Sequence, residues 1–279
     1  MHSTQNSKLQ VPPLGGRGAA FEAIILAGGL GTRLRTIVND VPKCMAPIHG
    51  IPFINFIISY LINEGVTRFI LSLGYKSDVV IDYVSKTFKG TDISYVIEDN
   101  PLGTGGAIQL ACNKVKGSNV LVLNGDTLFN IDIKSFLAFH QSKNADFSAA
   151  LKEMKDFSRY GSVELAADGS LQAFNEKQFC EKGLINGGIY ALKVKSLLDE
   201  KLPEAFSFEK DFLEKNIGTK QFYGLPCDYY FIDIGIPEDY TRFINDYNLV
   251  LKKNKYKKSP SQSERISGSF FELLFELID

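Results

Sequence analysis

The chain has 279 residues, 44% hydrophobic and 23% charged, with a formal net charge of −1. These values describe a soluble globular protein of one large or two small domains. No global field draws it to nucleic acid or to an anionic membrane, so any phosphate chemistry must rest on locally placed cations.

Residues 1–20 (MHSTQNSKLQVPPLGGRGAA) read as a disordered leader or tag without the apolar stretch of a signal peptide. A buried strand, Glu22–Ala27, then runs into glycines and arginines in the stretch AIILAGGLGTRLR. A dinucleotide-binding fingerprint needs a third glycine where Leu34 stands, and an acid about 20 residues on. No Gly-Lys-Ser/Thr follows, so a Walker loop is excluded too. The segment is instead a loop whose backbone N–H groups can form an anion nest, with Arg33 as a bidentate phosphate clamp. In Val41-Pro-Lys43-Cys-Met-Ala-Pro47, two prolines stiffen the chain around one lysine and fix where Lys43 points.

Pro52–Glu64 reads as an almost wholly apolar helix, too short and too polar to span a bilayer. Strands at Arg68–Leu73, Ile93–Ile97 and Asn119–Asn124 alternate with helices at Lys76–Phe88, Gly105–Val115 and Ile133–Lys143. Four such β-α units with nearly continuous apolar strands predict an α/β fold, a mostly parallel Rossmann-like sheet with helices on both faces. Two motifs sit at strand ends, where open α/β sheets bind ligands. Glu98-Asp-Asn-Pro-Leu-Gly103-Thr-Gly-Gly-Ala-Ile108 places three glycines at a helix N-terminus, suited to close approach by a nucleotide. Val120-Leu-Val-Leu-Asn-Gly-Asp126-Thr delivers an aspartate where hard-metal ligands sit.

After about residue 145 the rhythm changes to strands at Phe147–Lys152, Ser162–Leu165, Leu171–Asn175 and Ile185–Leu192. A helix at Phe208–Asn216, strands at Gln221–Tyr223 and Tyr229–Ile232, and a helix at Pro237–Leu251 follow. This half is expected to add strands to the same sheet and to form a small β platform. Asp233, after Tyr229-Tyr-Phe-Ile, is a second strand-end acid; with Asp126 it could hold one Mg²⁺ against phosphates. Asn175-Glu176-Lys177 and Asn186-Gly187-Gly188 suit a hydroxyl-rich, phosphorylated ligand. Residues 21–251 are thus expected to form one domain. Lys252–Arg265 reads as a basic linker, and Ile266–Asp279 as a short helix with a Ser269/Glu272 capping box. That helix would fold back on the body or serve a homo-oligomer or partner contact. Four scattered cysteines without a CxxC pair and three histidines argue against zinc and against disulfides, and fit a reducing cytoplasm.

Taken in order, GGLGTRL, PK, PLGTGGAI, NGD, EK, a Gly-Gly strand and FIDIG resemble the motif set of sugar-1-phosphate nucleotidyltransferases over roughly residues 21–250. The likeness is nearest to short, single-domain bacterial members that use GTP and a heptose 1-phosphate. Members acting on MurNAc 1-phosphate with UTP or on mannose 1-phosphate are similar but further off, and the alternative within the class is UTP, CTP or dTTP with a hexose phosphate. The resemblance implies a GT-A-like nucleotidyltransferase fold and a Mg²⁺-dependent reaction between a nucleoside triphosphate and a sugar 1-phosphate. It implies that Leu26, Ala27, Gly28, Gly29, Gly31, Thr32 and Arg33 wrap the nucleotide, with Lys43 on its phosphates. Gly103, Thr104 and Gly105 would lie against base and ribose, and Asn124 and Gly125 would also contact the nucleotide. Tyr160, Gly161, Glu176, Lys177, Asn186 and Gly187 would hold the sugar phosphate. Asp126 and Asp233 would bind the metal, with Arg33, Lys43 and Asp126 catalytic. Two departures stand out. Cys44 replaces a second proline and is expected to loosen the lysine segment, while Phe231 replaces a tryptophan and is expected to change packing more than chemistry. A nucleotide-sugar sensor with a degenerate site is the competing class, and the presence of Arg33, Lys43, Asp126 and Asp233 weighs against it.

Overall fold

The computed structural model describes residues 21–29, 34, 38, 41–175 and 177–255, with side chains described to residue 247. The chain divides into two compact units, Met1–Ile244 and Asn245–Asp279. Of the second unit only residues 245–255 are described, and they are helical. The linker expected from Lys252 therefore begins later, because residues 252–255 continue the helix; the rest of it, the capped helix and the leader lie outside the described residues.

The first unit is built on four apolar strands: β1 (Phe21–Leu26), β4 (Val66–Leu73), β5 (Asp92–Ile97) and β6 (Asn119–Asn124). They lie side by side in the order β6-β1-β4-β5, all parallel. Parallel neighbours require crossovers, and helices α1 (Phe53–Asn63), α2 (Ser77–Thr87) and α3 (Gly103–Cys112) provide them. Between β1 and α1 a short 3₁₀ turn, Lys43–Met45, leads into a hairpin of β2 (Pro47–Ile48) and β3 (Ile51–Pro52). Its burial explains α1's composition: Phe53, Ile54, Ile57, Ile58 and Leu61 are all fully inaccessible. At the N-terminal end of the sheet, Glu22 and Arg68 form a buried ion pair of 2.8 Å, and Glu22 also accepts from the Gly117 amide.

The second half joins this sheet. After β6 come β7 (Thr127–Phe129) and α4 (Ile133–Ser142), the latter capped by Asp132 accepting from the Ser135 amide. Strands β8 (Phe147–Phe157), β9 (Ser162–Leu165), β10 (Leu171–Phe174) and β11 (Cys180–Lys193) follow. β11 runs antiparallel to β6 through Ile189–Lys193, shifts register between Asn186 and Tyr190, and continues against β8 and β9. Both β8 and β11 are longer than the apolar runs suggest, because their outer halves are polar strands of the platform. A short helix α5 (Val194–Leu198) precedes a π-helical turn at Phe208–Leu213, which continues into α6 (Glu214–Asn216). β12 (Phe222–Pro226) adds to β8 in parallel, β13 (Phe231–Asp233) pairs with β7, and α7 runs Pro237–Lys255. Phe147, Tyr190, Phe208, Phe212 and Phe222 interlock as ring pairs 5.3–5.9 Å apart, tying the π-helical turn to the sheet. Among the described residues no helix is long and apolar enough to cross a membrane.

Candidate active site

β7 and β13 decide where the acids meet. Their antiparallel pairing sets Asp233 opposite Thr127, next in sequence to Asp126, and the Ile234 amide donates to the Asp126 carbonyl at 3.0 Å. The Lys43–Met45 turn delivers the third group. The Lys43 ammonium is ion-paired to Asp126 Oδ2 and lies 3.6 Å from Asp233 Oδ1. Each carboxylate is held from behind. Thr127 Oγ1 donates to Asp126 Oδ1 at 3.1 Å, and the Gly235 amide donates to Asp233 Oδ1 at 2.7 Å. A β-carbon on Gly235 would sit 2.8 Å from Lys43 Nζ and 2.7 Å from Asp233 Oδ1, so glycine lets both groups close on the backbone.

With Cys44 in place of the second proline, the lysine segment is a hydrogen-bonded turn. Met45 N–H donates to the Pro42 carbonyl and Ala46 N–H to Lys43, and the Cys44 side chain is buried. Burial, with Asp126 nearby, pushes its thiol up to about 12. Phe231 acts in packing: its ring meets Phe129 at 5.5 Å and Tyr160 at 6.0 Å, both edge-on. The Tyr160 phenol is pushed up to about 12, first by burial and then by Asp233.

Beside these acids opens a cavity of about 380 Å³, within the size of small-molecule sites. Asn124, Tyr160, Gly161, Lys177, Asn186 and Asp233 border it, all of them expected from the sequence. Lys177 is exposed and makes no ion pair among the described residues. Asn186 is engaged with its own strand: its amide donates to Tyr190 Oη at 2.6 Å and its carbonyl accepts from the Gly188 amide at 2.9 Å. It therefore shapes the register shift in β11. The two glycines that follow are placed differently. Gly187 is buried where a β-carbon would strike the Phe129 ring, and Gly188, not Gly187, borders the cavity.

Among the residues expected around a nucleotide, the Ala27 amide donates to the Ser72 carbonyl and the Gly125 amide to Leu26, so these residues fasten the ends of β1, β4 and β6. Gly28 packs close to Glu98 and Gly74, whereas Gly29 has open space around it. Gly31, Thr32, Arg33 and Glu176 lie outside the described residues.

The glycines of α3 pack against a neighbouring segment. The close approach that excludes side chains there is to the chain itself. β-Carbons on Gly103 and Gly106 would fall 2.6 Å from the Phe206 carbonyl and 2.3 Å from the Glu204 carbonyl, and one on Gly105 would enter the Phe206 ring. The Gly105 amide donates to Phe206 at 3.0 Å. Thr104 faces the same segment, donating to Glu209 Oε2 at 2.9 Å and accepting from the Phe208 amide at 2.9 Å.

Sequence reasoning missed Thr127, Ser207, Glu209, Lys210 and Glu214, which also border the cavity. Phe208–Asn216 carries an ordinary apolar helical pattern, and nothing in it signals that its polar residues face a ligand space. Among the described residues no cluster of three or more His, Cys, Asp or Glu could enclose a metal. The two convergent carboxylates, meeting at one cation, fit a hard ion such as Mg²⁺ that keeps water and substrate oxygens as its other ligands.

Comparison with known proteins agrees with this architecture. Residues 22–249 match the family model described as nucleotidyl transferase. D-glycero-alpha-D-manno-heptose 1-phosphate guanylyltransferase from Aneurinibacillus thermoaerophilus is 49% identical over 222 residues, 80% of this chain and 96% of that protein. Its counterpart from Campylobacter jejuni is 48% identical over 224 residues, 80% of this chain and 99% of the other. Among solved structures, HddC from Yersinia pseudotuberculosis superposes with a TM-score of 0.74 at 41% identity. It covers 81% of this chain and 99% of its own, and has also been solved complexed with GMP-PN.

Proposed function

The chain belongs to the nucleotidyl transferase family, and we propose that it transfers GMP from GTP to D-glycero-α-D-manno-heptose 1-phosphate, releasing pyrophosphate. The observation that carries this reading is the Lys43 ammonium held between Asp126 and Asp233 at the edge of a cavity bordered by Lys177. The guanosine and heptose assignments draw on the two relatives and on the GMP-PN complex of HddC.

In the reaction an oxygen of the sugar phosphate attacks the α-phosphorus of GTP. The new O–P bond forms as the bond from the α-phosphorus to the bridging oxygen breaks, and pyrophosphate departs with that electron pair. Both reactants are anions, so the protein's task is to offset their repulsion and align them. Asp126 and Asp233 are the residues that would hold Mg²⁺; bound there, the ion would neutralise phosphate charge. Lys43, placed by its stiff turn, supplies positive charge to the triphosphate, and Lys177 supplies it to the sugar phosphate. Tyr160 and Phe231 form an apolar wall that limits water around the acceptor. No side chain needs to act as a strong base, because a phosphate oxygen is already a competent nucleophile.

The test is pyrophosphate release with the four nucleoside triphosphates set against a panel of sugar 1-phosphates, with Mg²⁺ present. GTP with the heptose 1-phosphate is expected to give the highest kcat/KM. A clear preference for another base or sugar would replace those assignments, and no release from any pair would refute the transferase reading.

A further inference from the structure

Glu209 is not needed to explain the chemistry above, yet its placement is unusually determined. It sits in the π-helical turn at Phe208–Leu213, a rare geometry that recurs at functional sites. One of its oxygens, Oε2, accepts from Thr104 at 2.9 Å and from Ser207 at 3.3 Å. The other, Oε1, receives no hydrogen bond among the described residues, and Glu209 borders the cavity. A carboxylate offers about four lone-pair positions. Two are taken on Oε2, which leaves two on an oxygen whose direction is set by the anchored half.

The surroundings say what that oxygen suits. Tyr190, which also borders the cavity, has its phenol raised well above the usual range by burial first and by the charge of Glu209 second. Glu214, one π-turn on, and Lys210 also border the cavity, so this turn presents two carboxylates and one cation to it. A phosphate is disfavoured beside two carboxylates, whereas a neutral hydroxyl that donates a hydrogen bond is favoured. The cavity is thus polar in two senses, with Lys43 and Lys177 serving the phosphate and Glu209 facing neutral donors.

Resting on the sugar-phosphate reading given above, we propose that Glu209 reads hydroxyl groups of the acceptor sugar through Oε1. Thr104, which the glycine-rich motif suggests as a nucleotide contact, is then a positioning residue for the sugar. It holds Glu209 from the N-terminus of α3.

The test is steady-state kinetics of the full chain with the sugar 1-phosphate and nucleotide that the wild type uses best. Glu209→Ala is expected to raise the sugar-phosphate KM about 10- to 100-fold, the usual worth of a hydrogen bond to a charged group. The nucleotide KM should stay within about twofold. Thr104→Val should shift the same KM in the same direction by less. Glu209→Gln keeps the packing and stands in if the alanine variant fails to fold. An unchanged sugar-phosphate KM in an active Glu209 variant overturns the proposal while leaving the transferase reading intact. Parallel rises in both KM values also overturn it, since they mark a structural role. A wild type inactive with every pair overturns the reading beneath and this proposal with it.

Discussion

The ammonium of Lys43 lies 3.6 Å from Asp233 Oδ1, and the same ammonium is paired with Asp126. Three residues from distant parts of the chain meet here because a 3₁₀ turn, the end of β6 and the β7–β13 ladder converge at one sheet edge. Two carboxylates set this close repel each other, and Lys43 relieves the repulsion. In the proposed reaction a divalent ion would take over that task, and the lysine would become available to the phosphates.

Replacing Lys43 with alanine removes that charge from the reacting phosphates. Turnover is expected to fall by about two orders of magnitude or more, as for loss of a transition-state donor. Pyrophosphate release under saturating substrates measures it, and turnover within a few-fold of wild type would deny Lys43 the role.

Gly235 offers a more selective probe. A methyl group there would press on Lys43 Nζ and Asp233 Oδ1, the flexible end of one side chain and the carboxylate of the other. The backbone is not in the left-handed region, so Gly235→Ala should fold, with a melting temperature within about 4 °C of wild type. Turnover should drop at least about tenfold, because misplacement of a reacting group costs far more than its contact area suggests. A fully active variant would mean that the lysine–aspartate arrangement is not used.

His140 predicts a pH effect on stability. Its ring is buried between Ser148, 2.9 Å from Nδ1, and Asn119, 3.3 Å from Nε2. Burial lowers its pKa to about 4; Asp146 opposes that shift and Lys193 adds to it. The unfolded chain binds the proton near pH 6.5 and the folded chain resists it. Stability from the neutral ring is therefore present above about pH 6.5 and lost as pH falls towards 4, by roughly 3 kcal/mol in all. Urea midpoints at pH 7 and pH 5 should show a steeper loss for wild type than for His140→Gln. Equal slopes would assign the acid sensitivity to other groups.

Much of this fold can be read from the sequence, because buried parallel strands are nearly uninterrupted apolar runs and the helices between them are bounded by turn residues. Asp126 and Asp233 were visible as acids ending such runs. Their meeting point was not, since it depends on the pairing of two three-residue strands that carry no pattern of their own. The glycines at 103, 105 and 106 have a packing role that the sequence alone does not show. A glycine marks close approach without saying by what, and here the neighbour is the chain's own 204–206 segment. The choice of Gly188 over Gly187 at the cavity turned on strand phase, which a register shift in β11 alters. Glu209 was hidden because a helical pattern reports which face is buried, not what the other face meets.

The most direct test of the site is pyrophosphate release by Asp126→Asn and Asp233→Asn, each nearly isosteric with wild type, assayed with GTP, the heptose 1-phosphate and Mg²⁺. Both variants should lose at least about a hundredfold in turnover while keeping their fold, comparable with loss of key electrostatic groups in other enzymes. Near-normal turnover in either one would contradict a reaction centred on this pair of acids.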